Sequence, residues 1–244
     1  METFVLVTGA WHGGWSWRPV ATRLRAEGHR VLTPTLPGLG LDDDPRGVTL
    51  TDAVDTVVRL VEREDLRDLT LVGHSWGGFV LCGAAPRVAA RLRRTVFWSA
   101  FVPNDGESLM DAVPPAYQEL FSGLAAASAD DTIAMPLEVW SSAFIQDATP
   151  EVQAVTHAQM APQPFGTFTE PPDQKPFFAL DVPSAYIRTT DDIALPPGEW
   201  GWDRFPSRLA DPTIVEVPGS HEANFTRPGE LAEAILAVST AGTA

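Results

Sequence analysis

The 244-residue chain is 44% hydrophobic and 20% charged, the make-up of an ordinary globular protein long enough to bury one large core. Its 32 acidic residues against 17 basic ones leave a net charge of −15. Such a field repels phosphate backbones and anionic lipid, which counts against nucleic acid or a membrane surface as a partner.

No apolar run nears the ~20 residues that cross a bilayer. The start Met1-Glu2-Thr3 has no basic leader, so a cytoplasmic location is expected. Short apolar runs alternate with helical patterns, which implies an α/β protein with a mostly parallel, doubly wound sheet. Phe4-Val5-Leu6-Val7 reads as a central strand buried on both faces. A helix is expected over 17–27, with Pro19 in its first turn and Gly28 ending it, then a strand at Arg30-Val31-Leu32. The Asp42-Asp43-Asp44 run lacks ligand spacing and reads as a solvated loop. Thr51 is a good N-cap for a helix that carries Val54, Val57, Val58 and Val61 at helical spacing. Leu69-Thr70-Leu71-Val72 is a strand running straight into Gly73-His74-Ser75-Trp76-Gly77-Gly78. A helix of small and apolar residues follows, with Cys82 expected as plain core, and Thr95-Val96-Phe97-Trp98 is the next strand. As the single cysteine, Cys82 makes neither an internal disulfide nor a thiolate metal site.

From Pro103 the texture changes to many prolines, scattered aromatics and helical pieces such as 117–127, with no convincing strand. This stretch, 103–180, reads as a mainly helical cap inserted into a core made of 1–102 and 181–244. The regular pattern resumes with strands at 185–188 and 214–217 and a helix from about 229 to 238. The last residues, 240–244, are expected to fray.

The strongest chemical signal is Gly73-His74-Ser75-Trp76-Gly77, a G-x-S-x-G between an apolar strand and a small-residue helix. An abrupt strand-to-helix turn strains the serine and needs tiny neighbours two positions either side. It lifts the Ser75 hydroxyl to a helix N-terminus, where backbone N–H groups favour developing negative charge. A hydroxyl is a weak nucleophile, so it needs a base, and the base needs an orienting acid, in the chain order serine, acid, histidine. Of the five histidines, only His221 lies late in the chain just after a strand, in Pro218-Gly219-Ser220-His221. His29 falls in a helix-to-strand turn, His74 should point away from the active face, and His157 sits in the cap. Thr189-Thr190-Asp191-Asp192 follows the preceding strand, and spacing alone does not separate Asp191 from Asp192; Asp105 is a weaker candidate. The N–H of Trp76 supplies one oxyanion donor, and the glycine-rich loop Gly9-Ala10-Trp11-His12-Gly13-Gly14 supplies the other, with Ala10 favoured.

That loop also resembles the phosphate-binding turn of short-chain dehydrogenases. Trp15 stands where its last glycine should be, Trp11 would crowd a pyrophosphate, and neither tyrosine is followed by a lysine four positions on.

The segments FVLVTGAWHGGWSW (4–17), GHRVLTPTLPGLG (28–40), LTLVGHSWGG (69–78), AFVPNDGES (100–108), APQPFGTFTEP (161–171), YIRTTDDIALP (186–196) and GSHEANFTRP (219–228) resemble the α/β-hydrolase fold's esterase and hydroxynitrile lyase branch. More closely, they resemble the bacterial pyrethroid-hydrolase-like carboxylesterases, themselves similar to plant methylesterases. The resemblance implies Ser75 as nucleophile, His221 as base, and the N–H groups of Ala10 and Trp76 as oxyanion donors. It also implies Asp192 as acid, because in the family the acid lies four residues before a proline, here Pro196. Four positions depart from the pattern. Thr8-Gly9 replaces the His-Gly common before the oxyanion loop, and Trp76 replaces a leucine, methionine or tyrosine. The lyases' threonine and lysine are Gly9 and Glu222 here, and a glutamate opposes the charge that departing cyanide needs.

The reading is a serine hydrolase without metal or other cofactor, cleaving a carboxylic ester or lactone of a moderately sized apolar or aromatic molecule. Trp11, Trp76, Phe121, Trp140, Phe144 and Phe165 are the expected substrate contacts, and a homodimer is compatible with the sequence. Lyase, cyclase or transferase chemistry on the same triad, or a ligand-binding protein with poor turnover, are the alternatives, because fold and triad do not fix a reaction.

Overall fold

A computed structural model describes residues 1–240; of the tail expected to fray, 241–244 lie outside the described residues. Eight strands occur among the described residues: β1 (Thr3–Val7), β2 (Arg30–Leu32), β3 (Leu69–His74), β4 (Leu92–Trp98), β5 (Thr132–Ile133), β6 (Gln163–Pro164), β7 (Ser184–Thr189) and β8 (Thr213–Val217). Six form one parallel sheet in the order β2-β1-β3-β4-β7-β8. Strand alternation divides the core into two layers. Phe4, Leu6, Val72, Val96 and Trp98 face α1 (Arg18–Ala26) and the C-terminal helix Pro228–Thr240. Val5, Val7, Leu71 and Phe97 face α2 (Leu50–Arg63), α3 (Gly77–Ala84) and the residues that follow β4.

The order reverses at β1: the chain leaves to one side for β2 and returns past β1 to form β3. Such a switch point opens a crevice at the carboxyl ends of the flanking strands. Here the loop after β1 and the turn after β3 meet in that crevice, and they are the two segments that the motifs single out.

Two local expectations are corrected. The N-cap of α2 is Thr49, not Thr51: Thr49 and Asp52 satisfy each other's backbone N–H in a capping box. Thr51 lies inside the helix, where its N–H and hydroxyl donate to Glu170 at 2.9 and 2.6 Å. The segment between β4 and β7 adds no strand to the main sheet, but it is not strandless. Residues 132–133 and 163–164 pair antiparallel as β5 and β6. The rest of it holds helices Pro115–Ala127 and Pro150–His157 and a π-helical turn, Trp140–Phe144. It packs over the crevice and supplies most of the aromatic residues there.

Candidate active site

β3 delivers Ser75 into a turn that a β-branched residue would resist. Ser75 has φ +52, a left-handed value that costs about 1 kcal/mol or more for a non-glycine residue. The strain is held by hydrogen bonds on both sides. Ser75 N–H donates to Trp98 O at 3.3 Å, and Ser75 O accepts from Gly78 N and Phe101 N at 3.0 and 3.1 Å. The glycines after it are required by space: a Cβ would meet Thr8 O at 2.6 Å from Gly77 and Phe101 O at 2.0 Å from Gly78. α3 thereby seats directly against the chain and leaves Ser75 8% exposed at its start.

β8 ends in a turn at Gly219 that swings His221 back over the sheet, fully buried. Its Nδ1 lies 2.7 Å from Asp192 Oδ2, so the structure pairs His221 with Asp192. Asp191 does a different job: its Oδ2 accepts from Gly219 N at 3.2 Å and holds the histidine loop. Asp105 is remote, bridged to Lys175 at 3.1 Å. Burial pulls the His221 imidazole down, but the charge and hydrogen bond of Asp192 outweigh it and hold the pKa above 6.5. Trp202 stacks on the ring at 5.0 Å and Phe144 meets it edge-on at 5.5 Å, fixing its plane.

The loop after β1 is tied down from two directions. Thr8 Oγ1 donates to His12 O at 3.0 Å, which braces the loop where relatives often have a histidine. His12 Nδ1 donates to Ala10 O at 2.6 Å, and burial pushes its pKa down to about 4, so the ring is neutral. From β6, Gln163 Oε1 accepts the Trp11 N–H at 2.8 Å, and from β5 Ile133 O accepts the Trp11 indole N–H at 2.9 Å. These contacts hold Trp11 at φ +64. Among the described residues, no hydrogen bond uses the N–H of Ala10 or of Trp76. Both donors are therefore available to a ligand.

Ser75, His221, Ala10 and Trp76 share one narrow cavity of about 30 Å³ with Trp11, Phe121 and Phe144. That volume holds one or two waters. Trp140 and Phe165 are not among the lining residues. Trp140 is fully buried behind the wall, stacked on Phe144 at 6.1 Å, with its indole N–H donating to Gln153 O and Thr156 Oγ1. Phe165 is half-buried near the short ladder, and its N–H donates to Asp131 O. In their place the wall uses Phe101, Leu109, Val113, Tyr117, Phe168 and Trp202, which sequence patterning did not single out. His157 also stays out of the cavity, its Nε2 donating to Met135 O at 2.7 Å.

Two buried polar groups behind His221 were not anticipated. His74 does not simply point away: its ring stacks on Trp98 at 3.9 Å, lies 4.7 Å from the His221 ring, and its Nε2 donates to His221 O at 3.1 Å. Glu222 is 2% exposed, its Oε2 has no partner among the described residues, and burial pushes its pKa up to about 8. His74, His221 and Glu222 each offer a ligand atom within 4.8 Å of the others. One nitrogen of each ring is already engaged, His221 Nδ1 with Asp192 and His74 Nε2 with the His221 carbonyl.

A family model described as "Alpha/beta hydrolase family" matches residues 4–234. The chain is 35% identical to the carbendazim hydrolyzing esterase of Nocardioides sp. (strain SG-4G), over 98% of this chain and 100% of that one. It is 28% identical to the alpha-hydroxynitrile lyase of Arabidopsis thaliana, over 97% and 96% of the two chains. Among solved structures, an extracellular alpha/beta-hydrolase from a Paenibacillus species superposes with a TM-score of 0.94 at 33% identity, covering 98% and 99%. That protein is described as sharing structural and functional homology with tobacco salicylic acid binding protein 2.

Proposed function

Because the chain belongs to the alpha/beta hydrolase family, we propose that it is a cofactor-independent serine carboxylesterase acting on a small apolar or aromatic ester through an acyl-enzyme. One observation carries the reading: the strained Ser75 and the buried His221–Asp192 pair open onto a single uncharged cavity with two unused N–H donors. Ser75 Oγ attacks the ester carbonyl while His221 takes its proton at Nε2. Asp192 holds the Nδ1–H tautomer and stabilises the imidazolium that forms. The N–H groups of Ala10 and Trp76 receive the oxyanion, a contribution of about 3 kcal/mol per donor in such sites. The imidazolium then protonates the leaving alcohol, and water repeats the sequence on the acyl-enzyme. Trp11, Phe121 and Phe144 contact the substrate, while Trp140 supports Phe144 from behind.

The relative at 35% identity is named as an esterase, which favours ester hydrolysis. The lyase alternative is disfavoured by this chain's own residues. Glu222 is a buried, uncharged carboxyl at neutral pH and cannot stabilise an anion as a lysine would. A side chain at Gly9 would begin 2.9 Å from His74 Nδ1, so there is no room for a hydroxyl beside Ser75. We place the enzyme in the cytoplasm, which cell fractionation tests, since the Paenibacillus relative is described as extracellular.

A fluorophosphonate probe should label the wild-type chain and not Ser75→Ala. Absence of wild-type labelling refutes an activated serine. Labelling without hydrolysis across aryl and alkyl esters refutes the esterase reading and leaves other carbonyl chemistry.

A further inference from the structure

Among the residues lining the cavity, Tyr117 carries the one hydroxyl besides that of Ser75. The first turn of helix Pro115–Ala127 presents it. Its ring lies parallel to Phe121 at 5.3 Å with a 3° tilt, and 6.4 Å from Phe144, so the phenol is held by its neighbours and not by its own hydroxyl. That hydroxyl makes no hydrogen bond among the described residues. The other side-chain donors of the wall are committed or sealed. Trp11 Nε1 donates to Ile133 O, Trp76 Nε1 donates to Thr167 O at 3.3 Å, and Trp202 Nε1 is sealed from solvent. Tyr117 is half-buried, and its hydroxyl is not among the sealed, unpartnered atoms. Burial, with the charge of Asp192, pushes its pKa up to about 12, so it stays a donor over the working range of pH.

An unclaimed donor in an otherwise apolar aromatic wall rewards a ligand that brings an acceptor and penalises one that buries it unpaired. We propose that Tyr117 is a specificity-determining residue of this site, donating a hydrogen bond to the substrate. It selects flat aryl esters that carry a ring nitrogen or carbonyl acceptor over their hydrocarbon counterparts. The rings of Trp11, Phe121, Phe144 and Phe168, with centroids 5.6 to 5.9 Å apart, supply the flat apolar surfaces for such a ring. This rests on the esterase reading for turnover, but not for binding.

The test uses methyl benzoate and its three pyridine isosteres, methyl picolinate, nicotinate and isonicotinate, which place the acceptor at each position around the ring. For each, kcat/KM relative to benzoate is measured in the wild type and in Tyr117→Phe; the intrinsic reactivity of the esters cancels between the two proteins. The expected result is a loss of about tenfold in this ratio for at least one isomer on Tyr117→Phe. Ratios unchanged within twofold for all three overturn the proposal. The same four esters titrated into Ser75→Ala and Ser75→Ala/Tyr117→Phe, followed by tryptophan fluorescence, read the preference without turnover. A Tyr117-dependent binding preference, where the wild type hydrolyses no aryl or alkyl ester, upholds Tyr117 while refuting the esterase reading. Hydrolysis with ratios indifferent to Tyr117 does the reverse.

Discussion

Replacing Glu222 by glutamine should stabilise the fold, and the gain should grow with pH. Glu222 is buried beside His221, and its carboxyl is raised from 4.5 to about 8, chiefly by loss of hydration. The folded carboxyl therefore keeps a proton that the unfolded chain releases. Between pH 4.5 and 8 the native chain binds more protons than the unfolded one, and this group's stability is lost as pH rises through that window. With 1.36 kcal/mol for each tenfold change in proton affinity, the loss is about 1 kcal/mol at pH 5, about 3 at pH 7 and about 5 at pH 9. Glutamine keeps the shape and removes the titration. The histidines complicate wild-type curves taken alone. Burial lowers His12 to about 4 and depresses His74, so their contribution is present above pH 6.5 and lost as pH falls. The difference between the two proteins cancels that slope. Thermal unfolding of both from pH 5 to 9 should show a gap that widens to roughly 6–12 °C by pH 7, at about 2–4 °C per kcal/mol for a chain of this size. A gap independent of pH would refute the reasoning, because it would mean that Glu222 titrates alike in the folded and unfolded chain.

Three further outcomes follow from the site. Asp192→Asn should lower kcat by about 10⁴-fold, since the amide stabilises the wrong imidazole tautomer, whereas Asp191→Asn should cost about 1 kcal/mol of stability and leave the base paired; steady-state kinetics on any turned-over ester separate the two. The acid limb of the kcat/KM profile should lie above the ordinary histidine value, because His221 must lose a proton that Asp192 helps it hold, and a limb below pH 6.5 contradicts the pairing. Gln163→Leu should destabilise the fold by about 1–3 kcal/mol by stranding the Trp11 N–H. It should also lower kcat more than it raises KM, as the neighbouring Ala10 donor drifts from the oxyanion; a change confined to KM argues against that role.

What could be read from the residues was whatever depends on near neighbours along the chain. The Ser75 elbow needs an apolar strand before it and tiny residues after it, and each is visible within about ten positions. Buried strands and the Gly28 stop are visible for the same reason. Elements that exist through distant contacts were not. Thr51 looks like a cap, but Thr49 wins because Asp52 closes the box and Thr51 is drawn to Glu170, 119 residues away. β5 and β6 are two residues each and have no pattern apart from each other. Spacing left Asp191 and Asp192 equal and the family resemblance favoured Asp192; the folded loop sends that carboxyl to His221 and the Asp191 carboxyl to Gly219. Trp140 and Phe165 carry the same apolar signal as Phe144 and Phe168, and hydropathy does not say which ring faces the cavity and which lies behind it. The sequence alone thus determined the Ser75 elbow and the sheet that aims it. The tertiary structure decided which rings line the cavity and how deeply Glu222 is buried, because each depends on which groups a long-range contact strips of water.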